Sequence, residues 1–218
     1  MNLGIYQLFW RLSDYISNKE AHPYNIVASK DGKLYEIRNS LLGTIVTPAK
    51  EEQLRRIEQV PKGFQMKLPR IPGYLLQQII SFFRAYCNEN LDHEVMLQLF
   101  WHNNGYFVVD CPTQEVSKAR VSAQLDNEAP DLTEVMQVHS HNSMEAYFSE
   151  TDNNDEQQFL LYGVVGRLDQ QEPDIKIRVG VNGTFYRLSL DYIFDTTFLD
   201  VSQNVPYPEE WTKRVSII

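Results

Sequence analysis

His139-Ser140-His141 is followed by Ser149 and Asp152, a spacing of H-x-H-x7-S-x2-D. It gathers two imidazoles, a hydroxyl and a carboxylate in one short stretch, the side chains a hydrolytic zinc site uses. Alternate residues of a strand share a face, so a strand over residues 135 to 139 that continues to His141 turns both rings toward one ion. Asp152 then arrives from the following loop or helix as an oxygen ligand. Two His and one carboxylate leave a tetrahedral zinc one ligand short, and catalytic sites fill that position with water. The pattern therefore predicts chemistry and not metal storage alone. A plainer reading stands beside it: Ser149 and Asp152 also fit S-x-x-D, the capping box that opens many helices. That reading explains neither histidine, and a ligand at a helix start serves both purposes.

The elements that must position these residues follow from periodicity and turn signals. Ile5, Leu8, Phe9, Leu12 and Ile16 recur at helical spacing, so the first sixteen residues read as an amphipathic helix docked on its own domain or on a partner. Residues 24 to 29 and 33 to 38 flank Asp31-Gly32 as a hairpin, within a small β-rich extension that ends at the connection 60 to 63. Leu75, Ile79, Phe82 and Tyr86, with Leu76, Ile80 and Phe83 beside them, give a helix with a broad buried face after Pro72. Residues 94 to 101 and 106 to 111 pair across Asn103-Asn104-Gly105, and 116 to 121 is a further strand. The stretch 124 to 134 is acidic and irregular. After the motif, 156 to 161 continues a helix and 162 to 168 returns to the sheet. A third hairpin, 175 to 181 with 184 to 190, turns at Asn182-Gly183. Residues 201 to 218, with Pro206 and Pro208, carry no assignment.

The segment 138 to 152 resembles the JAMM motif of the JAB/MPN metalloprotease family. The resemblance covers roughly residues 66 to 195 and is most similar to bacterial JAB proteins encoded with ubiquitin-activation-like partners on mobile elements, such as protein A of the PRTRC system; 112 to 121 and 162 to 168 contribute to it. It implies the MPN fold: α/β, a mixed curved sheet with helices packed on its faces. The domain limits that follow are an N-terminal extension over 1–65, the JAB/MPN domain over 66–200 and a tail over 201–218. It also implies a Zn2+ site of His139, His141 and Asp152, with Ser149 and an upstream glutamate. The best match for that glutamate is Glu94, 45 residues before His139. Many active members carry Pro directly after the second His, where this chain has Asn142; the bacterial subgroup often reads His-Ser-His-Asn, and position 142 is not a ligand.

The family roles translate into chemistry. Glu94 takes a proton from water and passes it to the leaving amine, unless it is a solvated carboxylate at a strand edge. Ser149 Oγ donates to the oxyanion of the tetrahedral intermediate, worth roughly 3 kcal/mol when preorganised. Ser140, between the ligands, points to the opposite face. His93 and His102 have no partner at ligand spacing and read as surface or turn residues, Glu145 as a solvent-facing loop residue, and Trp101, Tyr147 and Phe148 as core or wall. The expected activity is hydrolysis of a peptide or isopeptide bond at the C-terminal tail of a ubiquitin-like protein or its conjugate, with ubiquitin-activating-like proteins as neighbours. The alternatives are a catalytically silent MPN scaffold that binds such a tail, and a small-molecule amide hydrolase.

The whole chain sets bounds. Its 218 residues, 43% hydrophobic, suffice for one substantial core with extensions. A net charge of -9 speaks against a nucleic-acid partner, which normally demands a basic face. The two cysteines, Cys87 and Cys111, form no zinc-knuckle spacing and suit a reducing compartment. With no apolar run near the roughly 20 residues of a membrane helix, the expectation is a cytoplasmic protein without a membrane partner.

Overall fold

The computed structural model describes residues 6–18, 24–50, 60–88, 91–118, 120–125 and 129–218. Backbone contacts divide the chain into two units, Met1–Lys62 and Gly63–Ile218.

In the first unit, β1 (Tyr6–Phe9), β2 (Tyr24–Ala28), β3 (Leu34–Ser40) and β4 (Gly43–Pro48) form a sheet in that order. The β2–β3 hairpin turns at Asp31-Gly32 as its sequence indicates, with Gly32 at φ 78°. The helix expected over the first sixteen residues is corrected: residues 1–5, including Ile5, lie outside the described residues, Tyr6–Phe9 is a strand, and only α1 (Leu12–Ser17) is helical. The edge of β2 offers Tyr6–Phe9 a parallel ladder, and Phe9 gains a core contact with Val27 and Ile37. A helix here has no comparable apolar surface to cover, and α1 buries none of its side chains. Sheet pairing outweighs a periodicity that fits either structure.

The second unit is built on a six-stranded sheet. Its strands are β5 (Met96–His102), β6 (Tyr106–Asp110), β9 (Leu132–Ser140), β10 (Leu160–Gly166), β11 (Asp174–Val181) and β12 (Thr184–Leu188), in the order β12-β11-β10-β9-β5-β6. Between β6 and β9 the chain makes the hairpin β7 (Thr113–Ser117) and β8 (Arg120–Gln124). Only β9 and β10 run parallel within the six-stranded sheet, so the architecture is mixed α/β. One face is apolar: Leu97, Leu99, Met136, Val138, Leu161, Val165, Ile177 and Val179 join Leu76, Ile79, Ile80 and Phe83 of α2 (Gly73–Ala85) in a single core. Alternation then forces Met96, Gln98, Gln137, His139, Tyr162 and Arg178 onto the other face.

Three stretches differ from their sequence reading. The strand expected over 116 to 121 is two arms of a hairpin, with Val116 opposite Val121 and Ser117 opposite Arg120; the apolar ends belong to partners, not to one run. The helix expected over 156 to 161 is α3 (Glu150–Asp155), ending before it, because Leu160 and Leu161 pair with Gly180 and Val179 and enter the buried sheet. The irregular stretch 124 to 134 contributes Gln124 to β8 and its last three residues to β9, while 126–128 lie outside the described residues. The unassigned tail contains α5 (Glu209–Lys213), following the short α4 (Leu190–Ile193), and ends in β13 (Val215–Ile217), which pairs in parallel with β7. No helix among the described residues is long and apolar enough to cross a membrane.

Candidate metal centre

Strand β9 delivers the histidines. His139 lies on the polar face, Ser140 turns back into the core, and His141 continues the alternation just beyond the strand, its N–H bonded to Val165 O at 2.8 Å. His139 Nε2 and His141 Nε2 are 3.2 Å apart. Ser140 is fully buried and its Oγ accepts from the Val95 N–H at 2.9 Å, the structural role its position between the ligands implies. The same ladder brings in Glu94. Met96 is paired with His139 and the Ser140 N–H donates to Val95 O at 2.9 Å. Glu94, one step further along, therefore falls on the histidines' face of the sheet.

Asp152 arrives on α3, whose first turn is shaped by the S-x-x-D box. The Asp152 N–H donates to Ser149 Oγ at 3.1 Å, and the Ser149 N–H donates to Asp152 Oδ2 at 2.6 Å. That second bond fixes the carboxylate, leaving Oδ1 3.7 Å from His139 Nε2. The cap and the ligand position are thus one device. Ser149 accepts through one lone pair, so its O–H is left to donate elsewhere.

The loop between His141 and Ser149 is held against the end of β10. The Arg167 N–H bonds Met144 O at 2.7 Å and the Leu168 N–H bonds Asn142 O at 2.8 Å. Gly166 makes this approach possible, since a Cβ there overlaps the Met144 carbonyl and the Ala146 nitrogen. Asn142 sits at φ 50°, a left-handed conformation that Asn tolerates and Pro, locked near −65°, does not. The Asn found after the second histidine is therefore a backbone requirement of this turn. Glu145, a mostly exposed residue, pairs with Arg167, and its carbonyl faces His141 Nδ1 at 3.4 Å. A carbonyl can only accept, so the proton sits on Nδ1 and Nε2 keeps its lone pair.

The electrostatics favour uncharged rings. Burial pushes His139 down to about 4, with Asp152 opposing and His141 adding to the depression; burial lowers His141 as well. Glu94 is raised to about 7 by burial first, then by the charges of Asp152 and Asp92. With the His141 Nε2 lone pair facing His139 Nε2 at 3.2 Å, the two rings are joined either by a proton on His139 Nε2 or by a cation between them. A tetrahedral zinc with Zn–N near 2.0–2.1 Å sets its nitrogens about 3.3 Å apart, so the observed separation fits. The ligand atoms of His139, His141 and Asp152 all lie within 4.8 Å of one another.

These residues share a cavity of about 580 Å3 whose lining includes Glu94, His139, His141, Ser149 and Asp152. Its walls come from Val121, Ala123 and Leu125 on one side and Met144 and Tyr147 on another; Tyr147 packs edge-on to His141, ring centres 4.6 Å apart. All five residues singled out in the sequence are thus brought together. His102 is the last residue of β5, stacked on Tyr106 beside the turn, Trp101 packs on Phe107 against the core, and neither His93 nor His102 belongs to the metal-competent cluster among the described residues. The sequence reading overlooked Tyr147 as a neighbour of His141 and the Arg167 clamp on the loop. Both arise from chain reversal at Asn142, for which the sequence offers only the Asn itself.

A mixed sheet with two histidines and an aspartate converging on its polar face defines an α/β domain with a cluster that could hold a metal ion. Residues 76–179 match the family described as prokaryotic homologs of the JAB domain, which supports a JAB/MPN-type domain over that stretch. No curated protein gives a significant match to it.

Proposed function

We propose that the protein is a zinc metallopeptidase that hydrolyses a peptide or isopeptide bond at the C-terminal tail of a ubiquitin-like protein. The observation that carries the reading is the convergence of His139, His141 and Asp152 within 4.8 Å, with Glu94 lining the same cavity. Zinc, when bound, supplies Lewis-acid polarisation of a carbonyl and shifts the ionisation of water toward neutral pH. The remaining work falls to the protein. Glu94, raised to about 7, is matched to taking a proton from water near neutrality and handing it to the departing amine. Ser149 Oγ, anchored as a helix cap, has its hydroxyl proton free for the oxyanion of the amide's tetrahedral intermediate. The apolar walls of the cavity suit an extended chain segment, and the family supplies the ubiquitin-like class by analogy.

Cleavage of a reporter fused to a ubiquitin-like tail tests this reading. Glu94→Gln is expected to lower turnover by about 10²–10⁴-fold while the zinc content stays at the wild-type level. A wild-type protein that binds the tail and releases no reporter is a scaffold. Turnover confined to short amino-acid conjugates identifies a small-molecule amide hydrolase.

A further inference from the structure

We propose that Arg178 is a positioning residue for the metal centre, holding helix α3 so that Asp152 meets the two histidines; the inference rests on the metal-site reading above. Helix α3 has six residues and buries none of them. So short a helix has little stability of its own, and the capping box shapes its first turn without attaching it to the sheet. Arg178 makes that attachment. Its Nη1 donates to Asn153 Oδ1 at 2.6 Å and its Nε to Glu156 Oε2 at 2.7 Å, gripping the residue after Asp152 and the helix C-cap. Its guanidinium lies 3.8 Å from the ring centre of Phe148, the residue before the N-cap, and 3.7 Å from that of Phe185. One planar group therefore touches the chain on both sides of Asp152.

Arg178 also shares a frame with the histidines. It pairs with Tyr162, and Tyr162 with Gln137, two residues before His139, so all lie on the polar face of one rigid sheet. Arg178 is only 5% exposed and Glu156 8%. A buried ion pair is weak support for stability, because desolvation of both charges offsets their attraction. Its directional, multidentate bonds instead fix orientation. Beyond the helix, the bond from the Asn182 N–H to Gln157 O at 2.9 Å fastens the exit from the segment, leaving the ligand-bearing turn itself to Arg178.

Cobalt(II) binding to the full chain tests the proposal, read as a dissociation constant and as the visible ligand-field spectrum. Arg178→Gln is expected to weaken cobalt binding roughly 10–100-fold and to change the spectrum. A core variant of α2, Ile79→Val, lowers the melting temperature and leaves both unchanged. Wild-type affinity and spectrum in a folded Arg178→Gln protein overturn the positioning role while leaving the metal site standing. Absence of cobalt binding by the wild-type chain overturns the metal-site reading and this one with it. If Arg178→Gln does not fold, Asn153→Ala and Glu156→Gln replace it: weakened cobalt binding at an unchanged melting temperature supports the clamp, and unaltered binding in both overturns it.

Discussion

Glu94 joins two properties that push the same way: it is buried, and it faces the carboxylates of Asp152 and Asp92. Burial is the larger, and together they raise its carboxyl from the ordinary 4.5 to about 7. Between those values the folded chain holds a proton that the unfolded chain has released. This group's contribution to stability is therefore fully present below about pH 4.5 and is lost as the pH rises through about 7. Glu94→Gln, neutral at every pH, removes the dependence. In metal-free protein, the stability of the variant relative to wild type is expected to improve between pH 4 and pH 8 by an amount on the order of 3 kcal/mol. Denaturant unfolding at the two pH values measures it, and a pH-independent difference contradicts the raised pKa. The residue itself was legible only through its distance from the histidines along the chain. Nothing local marks Glu94, whose placement depends on the pairing of β5 with β9.

Short elements carry the site, and the helix opening at Ser149 shows how a structural signal and a chemical one overlap. Ser149→Asp keeps an acceptor for the Asp152 N–H but has no hydroxyl to donate; Ser149→Ala loses both. The alanine variant is expected to lose about 1 kcal/mol of stability through the missing cap, and the aspartate variant much less. Reporter cleavage is expected to fall about 10²–10³-fold in both. Thermal unfolding beside turnover separates the roles, and an aspartate variant with full activity removes Ser149 from the chemistry. The S-x-x-D spacing made this turn readable in advance, as Asn182-Gly183 and Asn103-Asn104-Gly105 did for their hairpins. Arg178 left no such trace: it sits in an alternating strand among Ile177 and Val179, and its partners lie 22 and 25 positions away. The same holds for the first strand, where Leu8 and Phe9 fit a helical stripe and a strand equally, and a distant edge at Tyr24–Val27 decides.

The two units have separate cores: Phe9, Val27 and Ile37 in the first, and the large cluster around α2 in the second. A chain starting at Gly63 is therefore expected to fold and keep its metal affinity. Removal of 201–218 takes Trp211, 3% exposed, away from Phe82 and Val116 in the main core. Loss of a buried Trp alone costs about 3–5 kcal/mol, so this second truncation is expected to unfold the JAB-containing unit. Circular dichroism and cobalt binding of the two shortened chains check both outcomes; a well-folded chain lacking 201–218 contradicts the core assignment.

The parallel ladder between 114–116 and 215–217 has a temporal side. The hairpin it braces bears Val121 and Ala123, one bank of the cleft, and Arg214 ties the same region to Asp110 and to Cys111 O. During synthesis, His139, His141 and Asp152 leave the ribosome well before that brace exists. Nascent protein thus carries the cluster of His139, His141 and Asp152 beside a bank that stays unbuttressed until residues 215–217 can pair with 114–116.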